Sequence, residues 1–221
     1  MSSEVTITVR GEHETRVVAE RAVVRLSVAD EGDEREKVVS RALALAEPIR
    51  EGLASRAEAG SVTEWSSTRL SVRAERPWNS EGRRLAVVYT ASVDFAATFA
   101  DLSELSLWAT EVALGEGVSL ESTEWRLTPE TRARVEREVA AEAIGAAVAR
   151  ATAYGEALGR QAVEAVEIAD VGLISALEPR AKGGGLRTVA FAAPMADTAA
   201  MAFHPQDIVV SATVEGRFVA R

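Results

Sequence analysis

A histidine between two acids is the first place to look for acid–base or metal chemistry: Glu12, His13 and Glu14. Imidazole and carboxylate groups exchange protons near neutral pH and ligate metal ions. The second histidine, His204, lies far along the chain, and a solvated polar turn explains residues 12–14 equally well. A G-x-S-x-G elbow, which would mark a serine nucleophile, is absent. We predict no catalytic residue, no cofactor and no metal site, with a hydrolase as a remote alternative.

A run of three glycines, residues 183–185, invites comparison with phosphate-binding loops. Lys182 precedes the glycines, however, and no GK[ST] ending follows them, so a flexible linker is the better interpretation. The neighbouring Arg180, Lys182 and Arg187 form a small basic cluster. Because the chain has a net charge of −9, we predict that this cluster docks on an acidic surface of the same protein.

Arginines also gather around a predicted hairpin with Trp78 at its tip. They are Arg69, Arg73, Arg76, Arg83 and Arg84. Cations beside an exposed tryptophan suit an anion or a protein partner, although the solvated face of a strand is the plainer alternative. Trp65 and Trp125 are expected to cover the sheet. The predicted interface residues are Arg76, Trp78, Arg83, Arg84, Arg180, Lys182 and Arg187.

Composition narrows the function classes. A net charge of −9 and a pI near 5.0 oppose binding to nucleic acid. The chain has no cysteine, which excludes disulfides, thiolate zinc sites and a cysteine nucleophile. The amino terminus shows no signal peptide and no segment suits a membrane-spanning helix, so we predict no membrane insertion and a cytoplasmic location.

Hydrophobic periodicity predicts the strands and helices that position these residues. Alternation predicts strands near residues 5–9, 22–28, 70–74, 85–95, 118–127, 163–168 and 208–218. Helical spacing predicts a helix after an Asp33-x-x-Glu36 capping signal, in which Pro48 should produce a kink or a break. A second helix is predicted from Leu102 to near Gly115 or Gly117.

The clearest helix begins at Thr128 and Pro129 and should end near Leu158. Its alanines permit close approach by a sheet or another helix. Its predicted stripe is Val139, Ala143, Ile144, Ala147, Ala151, Tyr154 and Leu158. Residues 178–206 contain glycines and prolines without a sustained period, which predicts a long loop.

The order of elements predicts an α+β fold with an antiparallel or mixed sheet. Residues 22–127 follow the ferredoxin-like order β-α-β-β-α-β, and the long Ala-rich helix and extra carboxyl-terminal strands come after them. We expect a single domain over residues 1–221. Within it, 1–127 and 128–221 are candidate sub-units.

Three segments in this order resemble the SIMPL family, also called DUF541, over nearly the whole chain. They are Ile7-Thr8-Val9-Arg10-Gly11, Ala157-Leu158-Gly159 and Pro205 through Phe218. Glu12 and His13 replace the small residues usual after the glycine, and the export signal of many bacterial members is missing. The resemblance implies a fold and self-assembly more than an activity, because it carries no catalytic residues.

Members of that family are described as immunogenic periplasmic proteins, as proteins linked to oxidative-stress defence, and as an adaptor of a signalling kinase; some resemble rings or channels. We therefore expect a non-enzymatic interaction or scaffold protein that forms a homo-oligomer and is related to stress. The alternative is a small-molecule or metal-binding protein with a pocket between the sheet and the long helix.

Overall fold

The computed structural model describes residues 4–174 and 205–221, which contain three helices and seven strands. The strands are β1 (Val5–Val17), β2 (Arg21–Gly32), β3 (Val62–Glu75), β4 (Val88–Phe99), β5 (Val118–Arg126), β6 (Val163–Asp170) and β7 (Ile208–Ala220). The helices are α1 (Arg35–Glu58), α2 (Leu102–Ala113) and α3 (Pro129–Ala157). No helix in these ranges is long and apolar enough to cross a membrane.

Two antiparallel sheets belong to two compact units, and together with the helices they confirm the α+β fold. Within the described residues, the first unit comprises 4–17, 128–174 and 207–221, and the second includes 18–127. The first contains the sheet β1-β7-β6 and the second the sheet β3-β4-β2-β5. The amino-terminal strand β1 therefore pairs with β7 near the other end of the chain, from Val5 opposite Ala220 to Val17 opposite Ile208.

The second unit has the predicted ferredoxin-like arrangement. Its strands alternate with α1 and α2 in the order β-α-β-β-α-β, and all neighbouring strands are antiparallel. Alternate residues of β4, including Phe95 and Phe99, are buried in one core with Leu53 of α1 and Trp108 of α2. Since one face of β4 contacts both helices, α1 and α2 cover the same side of this sheet. The rings of Phe99 and Trp108 lie 5.0 Å apart in that core.

The first unit is closed by an unusually close approach between β1 and α3. A Cβ atom on Gly11 would lie 2.0 Å from the carbonyl oxygen of Ala143 and 2.6 Å from the backbone nitrogen of Ala147. Both alanines are fully buried with Phe218 and Ile7. The prediction that the alanines of this helix permit close approach is confirmed.

Part of the predicted apolar stripe of α3 is wrong. Ile144, Tyr154 and Leu158 are 39%, 53% and 58% exposed. The buried positions instead recur at every fourth residue from Val135 to Gly155. Each step of four residues turns about 40° around a helix of 3.6 residues per turn, so the buried row winds around α3. Ile144 and Tyr154 lie on the flanks of that row, and Leu158 is the C-cap residue after the helix.

A side chain caps the amino-terminal end of α2 and of α3, whereas the amino-terminal end of α1 has no side-chain cap. The Thr128 side chain accepts a hydrogen bond from the backbone N–H of Thr131, with Pro129 in the first turn, as predicted. Asp101 caps α2 in the same way. The predicted Asp33 cap is wrong: Glu34 occupies the N-cap position of α1 and makes no side-chain capping bond.

Helix α1 runs without a break from Arg35 to Glu58. Of the two predicted outcomes at Pro48, the division into two helices is therefore wrong, and the kink stays a prediction. Its buried row, which includes Val38, Ile49 and Leu53, packs on the sheet on both sides of the proline. Packing of an apolar face stabilises the helix more than one missing hydrogen bond weakens it.

The hairpin of β3 and β4 forms as predicted, with different bounds. Strand β3 begins at Val62, well before Leu70, because its ladder with β4 holds residues that show little apolar alternation. Strand β4 begins at Val88, so Leu85 and Val87 lie in the connecting loop, which corrects the predicted strand start. Most of the predicted loop over 178–206, and the glycine run with it, lies outside the described residues.

Candidate functional site

A hairpin arm, defined here as residues 73–86, lies at the end of the β3–β4 ladder. Every residue of the arm is exposed except the half-buried Asn79. Strand β3 ends at Glu75 and β4 begins at Val88, so most of the arm lies beyond the regular sheet. The arm therefore gains little stabilisation from apolar burial.

Hydrogen bonds within the arm give it a defined shape. The Oδ1 atom of Asn79 accepts from the backbone N–H groups of Glu81 and Arg83, at 3.1 and 2.8 Å. The backbone N–H of Asn79 donates to the carbonyl oxygen of Arg83 at 2.9 Å, and that of Leu85 donates to Pro77 at 2.9 Å. Gly82 has φ = +74°, a left-handed conformation that glycine adopts without strain. The arm is thus a small ordered hairpin.

The tip of the arm presents an exposed aromatic ring paired with a cation. Trp78 is 61% exposed, and the Arg84 guanidinium carbon lies 4.9 Å from the centre of its ring. Trp78 and Arg84 also form an isolated antiparallel bridge. Such a cation–π contact contributes about 0.5–1 kcal/mol at an exposed site, which restricts the ring without covering it.

The arm is basic in an acidic protein. It carries four arginines and two glutamates, a net charge of +2, whereas the whole chain has a net charge of −9. Arg83 lies 3.9 Å from Glu81, a weak surface pair. Among the described residues, Arg73 and Arg76 have no carboxylate within salt-bridge distance. Cations and an exposed tryptophan are therefore available together on one surface.

The structure brings four of the seven predicted interface residues together in this arm: Arg76, Trp78, Arg83 and Arg84. Arg180, Lys182 and Arg187 lie outside the described residues, so their role stays a prediction. Trp65 and Trp125 are half-buried and pack against the core of the second unit, as predicted.

One strand at the edge of its described sheet is acidic, whereas the arm is basic. This strand was not identified as a candidate surface from the sequence. Strand β6 is an outer strand of its described sheet and carries Glu164, Glu167 and Asp170. Between these acids, Val166 and Ile168 are 62% and 40% exposed. The alternation of acids with apolar residues was the available signal, but it predicts a strand without saying that the strand lies at an edge.

The residues around His13 do not form a solvated turn, which is one of the two interpretations of residues 12–14. They lie within β1, where Glu12, His13 and Glu14 pair with Thr213, Ala212 and Ser211 of β7. Successive strand residues point to opposite faces, so His13 faces away from both glutamates. His204 lies outside the described residues, among which no group of three His, Asp or Glu residues suits a metal ion.

Two surface ion pairs lower the pKa of a carboxylate. Hydrogen bonds from Arg126 hold the pKa of Glu124 below its ordinary value, with donor–acceptor distances of 2.9 and 2.7 Å. A hydrogen bond from Arg50 lowers the pKa of Glu47 in the same way. Each pair joins neighbours on one element, β5 or α1, and neither lies in the hairpin arm.

A family profile matches nearly the whole chain. The sequence profile of SIMPL, described as a protein of unknown function (DUF541), matches residues 7–218. No curated protein matches the chain. The family match spans both compact units.

Proposed function

This chain belongs to the SIMPL (DUF541) family, and we propose that it is a non-enzymatic interaction protein that assembles with further copies of itself through the hairpin arm. The observation that carries the proposal is the arm itself, an ordered hairpin that holds Trp78 in solvent beside unpaired arginines. Tryptophan and arginine are enriched at protein interfaces and among their hot spots.

Burial of Trp78 supplies a substantial part of the binding free energy. A tryptophan buries up to about 250 Å² in total, so a ring that is 61% exposed has about 100–150 Å² left to cover. At about 25 cal/mol per Å², covering it stabilises a complex by roughly 2–4 kcal/mol. The cation–π pair with Arg84 already restricts the ring, which lowers the entropy lost on binding.

Charge complementarity favours a second copy of this chain as the partner, with β6 as its docking surface. Arginines of the arm would face Asp170 and also Glu167 and Glu164, which already pair with Arg217 and Arg221, while Trp78 would cover Val166. Pairing of β6 with β6 would instead place acids near acids, which is destabilising. A contact between two different surfaces is heterologous, so it closes into a ring or continues as an open chain.

The test is the solution mass measured by light scattering on a size-exclusion column, over a range of protein concentrations. We expect a mass several times 23.5 kDa that falls toward 23.5 kDa as salt rises from about 0.1 to about 1 M, because the Debye length shortens from about 10 to about 3 Å. A mass of 23.5 kDa at all concentrations would refute self-assembly.

Two variants and a control assign the assembly to the arm. Trp78→Ala and Arg83→Ser should each lower the mass at a given concentration. Leu114→Ala is the control, since Leu114 is an apolar side chain that is 87% exposed and lies outside the arm, at the end of α2. If the two arm variants keep the wild-type mass and circular dichroism, another surface joins the subunits.

The alternative function, a ligand pocket between a sheet and the long helix, finds little room where β1 crosses α3. There the backbone of Gly11 lies against Ala143 and Ala147. A relation to oxidative stress and a cytoplasmic location stay predictions.

A further inference from the structure

A cleft between α1 and α2 in the second unit has a cavity volume of about 290 Å³. It shares no residue with the hairpin arm or β6. Its wall on α1 is a row at every fourth position, Ala44, Pro48 and Gly52, and Trp108 and Val112 of α2 lie opposite. A volume of this size equals that of about ten water molecules, which suits a small organic molecule.

A hydrogen-bond donor without a protein acceptor lines this cleft. Trp108 is 1% exposed, and its indole N–H donates to no group of the described residues, but the nitrogen itself is not fully buried and stays open to solvent. A Cβ atom on Gly52 would lie 3.8 Å from Trp108 Nε1, and glycine leaves that position open. Solvent in the cleft can satisfy this N–H, and a ligand acceptor that takes the place of that solvent keeps the hydrogen bond. A ligand with an acceptor atom would satisfy this donor.

Each nitrogen of the cation that lines the cleft already donates a hydrogen bond within the protein. The Nε of Arg56 donates to Glu104 at 2.9 Å and its Nη2 to Glu111 at 3.1 Å. Its Nη1 donates to the carbonyl oxygen of Gly52 at 3.3 Å. Glu111 and Glu116 also line the cleft, so the lining carries more negative than positive charge. An anionic ligand would meet two carboxylates and no free cation.

The remaining surface is mainly apolar. Leu45, Ile49 and Val112 line the cleft beside the indole ring. Pro48 has no backbone N–H, so the Ala44 carbonyl lacks its usual donor four residues along α1. Apolar walls with few directed polar groups are typical of small-molecule sites.

We infer that the α1–α2 cleft binds an uncharged, mainly apolar molecule that accepts a hydrogen bond from the indole N–H of Trp108. The ligand class follows from three features: the indole N–H that lacks a protein acceptor, the apolar lining, and the pairing of Arg56 with Glu104 and Glu111. The site is independent of assembly through the arm, so the two proposals fail separately.

Fluorine NMR with three probes of similar size tests the ligand class. The probe para-fluoroacetophenone carries a neutral acceptor, para-ethylfluorobenzene lacks it, and para-fluorophenylacetate adds a negative charge. The fluorine signal of para-fluoroacetophenone should broaden on titration with the protein, and the effect should saturate. The ethylbenzene probe should bind about three- to tenfold more weakly than the acetophenone probe, as expected for one lost hydrogen bond. The negatively charged phenylacetate probe should bind at least about tenfold more weakly.

Variants locate the binding. Ala44 is exposed at the rim, so Ala44→Leu should fill the mouth of the cleft without disturbing the core and reduce binding at least about tenfold. Ala149→Leu makes the same change on an exposed face of α3 and should leave binding unchanged. Trp108→Phe should make the first two probes bind alike, because the donor is gone while most of the ring remains.

Each outcome decides the proposal. Absence of saturable binding by para-fluoroacetophenone, or equal binding to the wild-type protein and Ala44→Leu, would overturn it. Equal affinities of the wild-type protein for the acetophenone and the ethylbenzene probes would remove the role of the indole N–H, and this comparison holds even where Trp108→Phe does not fold.

Discussion

Substituting Gly11 by alanine tests the packing of the first unit most directly. The added Cβ would lie 2.0 Å from the carbonyl oxygen of Ala143 and 2.8 Å from the Cβ of Ala147. An ordinary contact needs at least 3.4 Å, so β1 and α3 have to separate by about 1.4 Å. A gap of 0.5–1 Å already loses a quarter to a half of the dispersion attraction. The buried face that α3 shares with Phe218 should therefore be weakened along its length.

The expected loss of unfolding free energy is about 2–3 kcal/mol. Overpacking typically costs about 1–3 kcal/mol, and a backbone contact of 2.0 Å places this change at the upper end. Replacing glycine inside a strand recovers about 0.5–1 kcal/mol of backbone entropy, which does not offset the clash. The assay is urea denaturation followed by far-ultraviolet circular dichroism. Tryptophan fluorescence is unsuitable, because all four tryptophans lie in the second unit.

A matched control lies in α3. A Cβ on Gly145 would meet nothing within 4 Å, so Gly145→Ala should stabilise the protein by about 0.5–1 kcal/mol through helix propensity alone. A Gly11→Ala protein that unfolds within about 0.5 kcal/mol of the wild type would refute the close approach of β1 and α3.

Two further predictions concern capping and titration. Asp101→Ala should lower the unfolding free energy by about 1 kcal/mol in urea denaturation, because the backbone N–H groups of Ser103 and Glu104 lose their N-cap acceptor. Glu34→Ala removes no capping bond and should change the unfolding free energy by a few tenths of a kcal/mol at most. Equal losses in the two variants would contradict the assignment of Asp101 as a cap. NMR titration should give Glu124 a pKa below its ordinary value, and this pKa should rise in Arg126→Gln. The stability that the pair contributes is present above the pKa of Glu124 in the unfolded chain and is lost as pH falls through its lowered pKa in the folded protein. An unchanged titration of Glu124 in the variant would exclude Arg126 as the cause.

Local signals in the sequence predicted the elements well where chemistry between neighbours decides them. Thr128 followed by Pro129 located the start of α3, because a capping side chain and a fixed φ act within one turn. The same logic failed at Asp33, where an acid three residues before Glu36 looked like a cap and Glu34 holds the position instead. Start signals of this kind are ambiguous when several acids adjoin.

The candidate sites depended on tertiary structure to different degrees. The arm was predictable, because a turn-rich segment with Trp78 between two strand patterns indicates an exposed loop. The α1–α2 cleft was not, since Pro48 and Trp108 meet across two helices that are far apart in sequence. The position of β6 at the edge of its described sheet was not predictable either, because it depends on which strands pair.

By itself, the sequence determined the order and type of the strands and helices, because periodicity of two or 3.6 residues is a local property. It did not determine which strands pair. Alternation around Ile7 and around Phe218 predicts two strands equally well, whether or not they touch, and only the folded chain places them side by side in one sheet. Partner choice depends on the packing of whole faces, here β1 and β7 against the alanines of α3, and no segment carries that information alone.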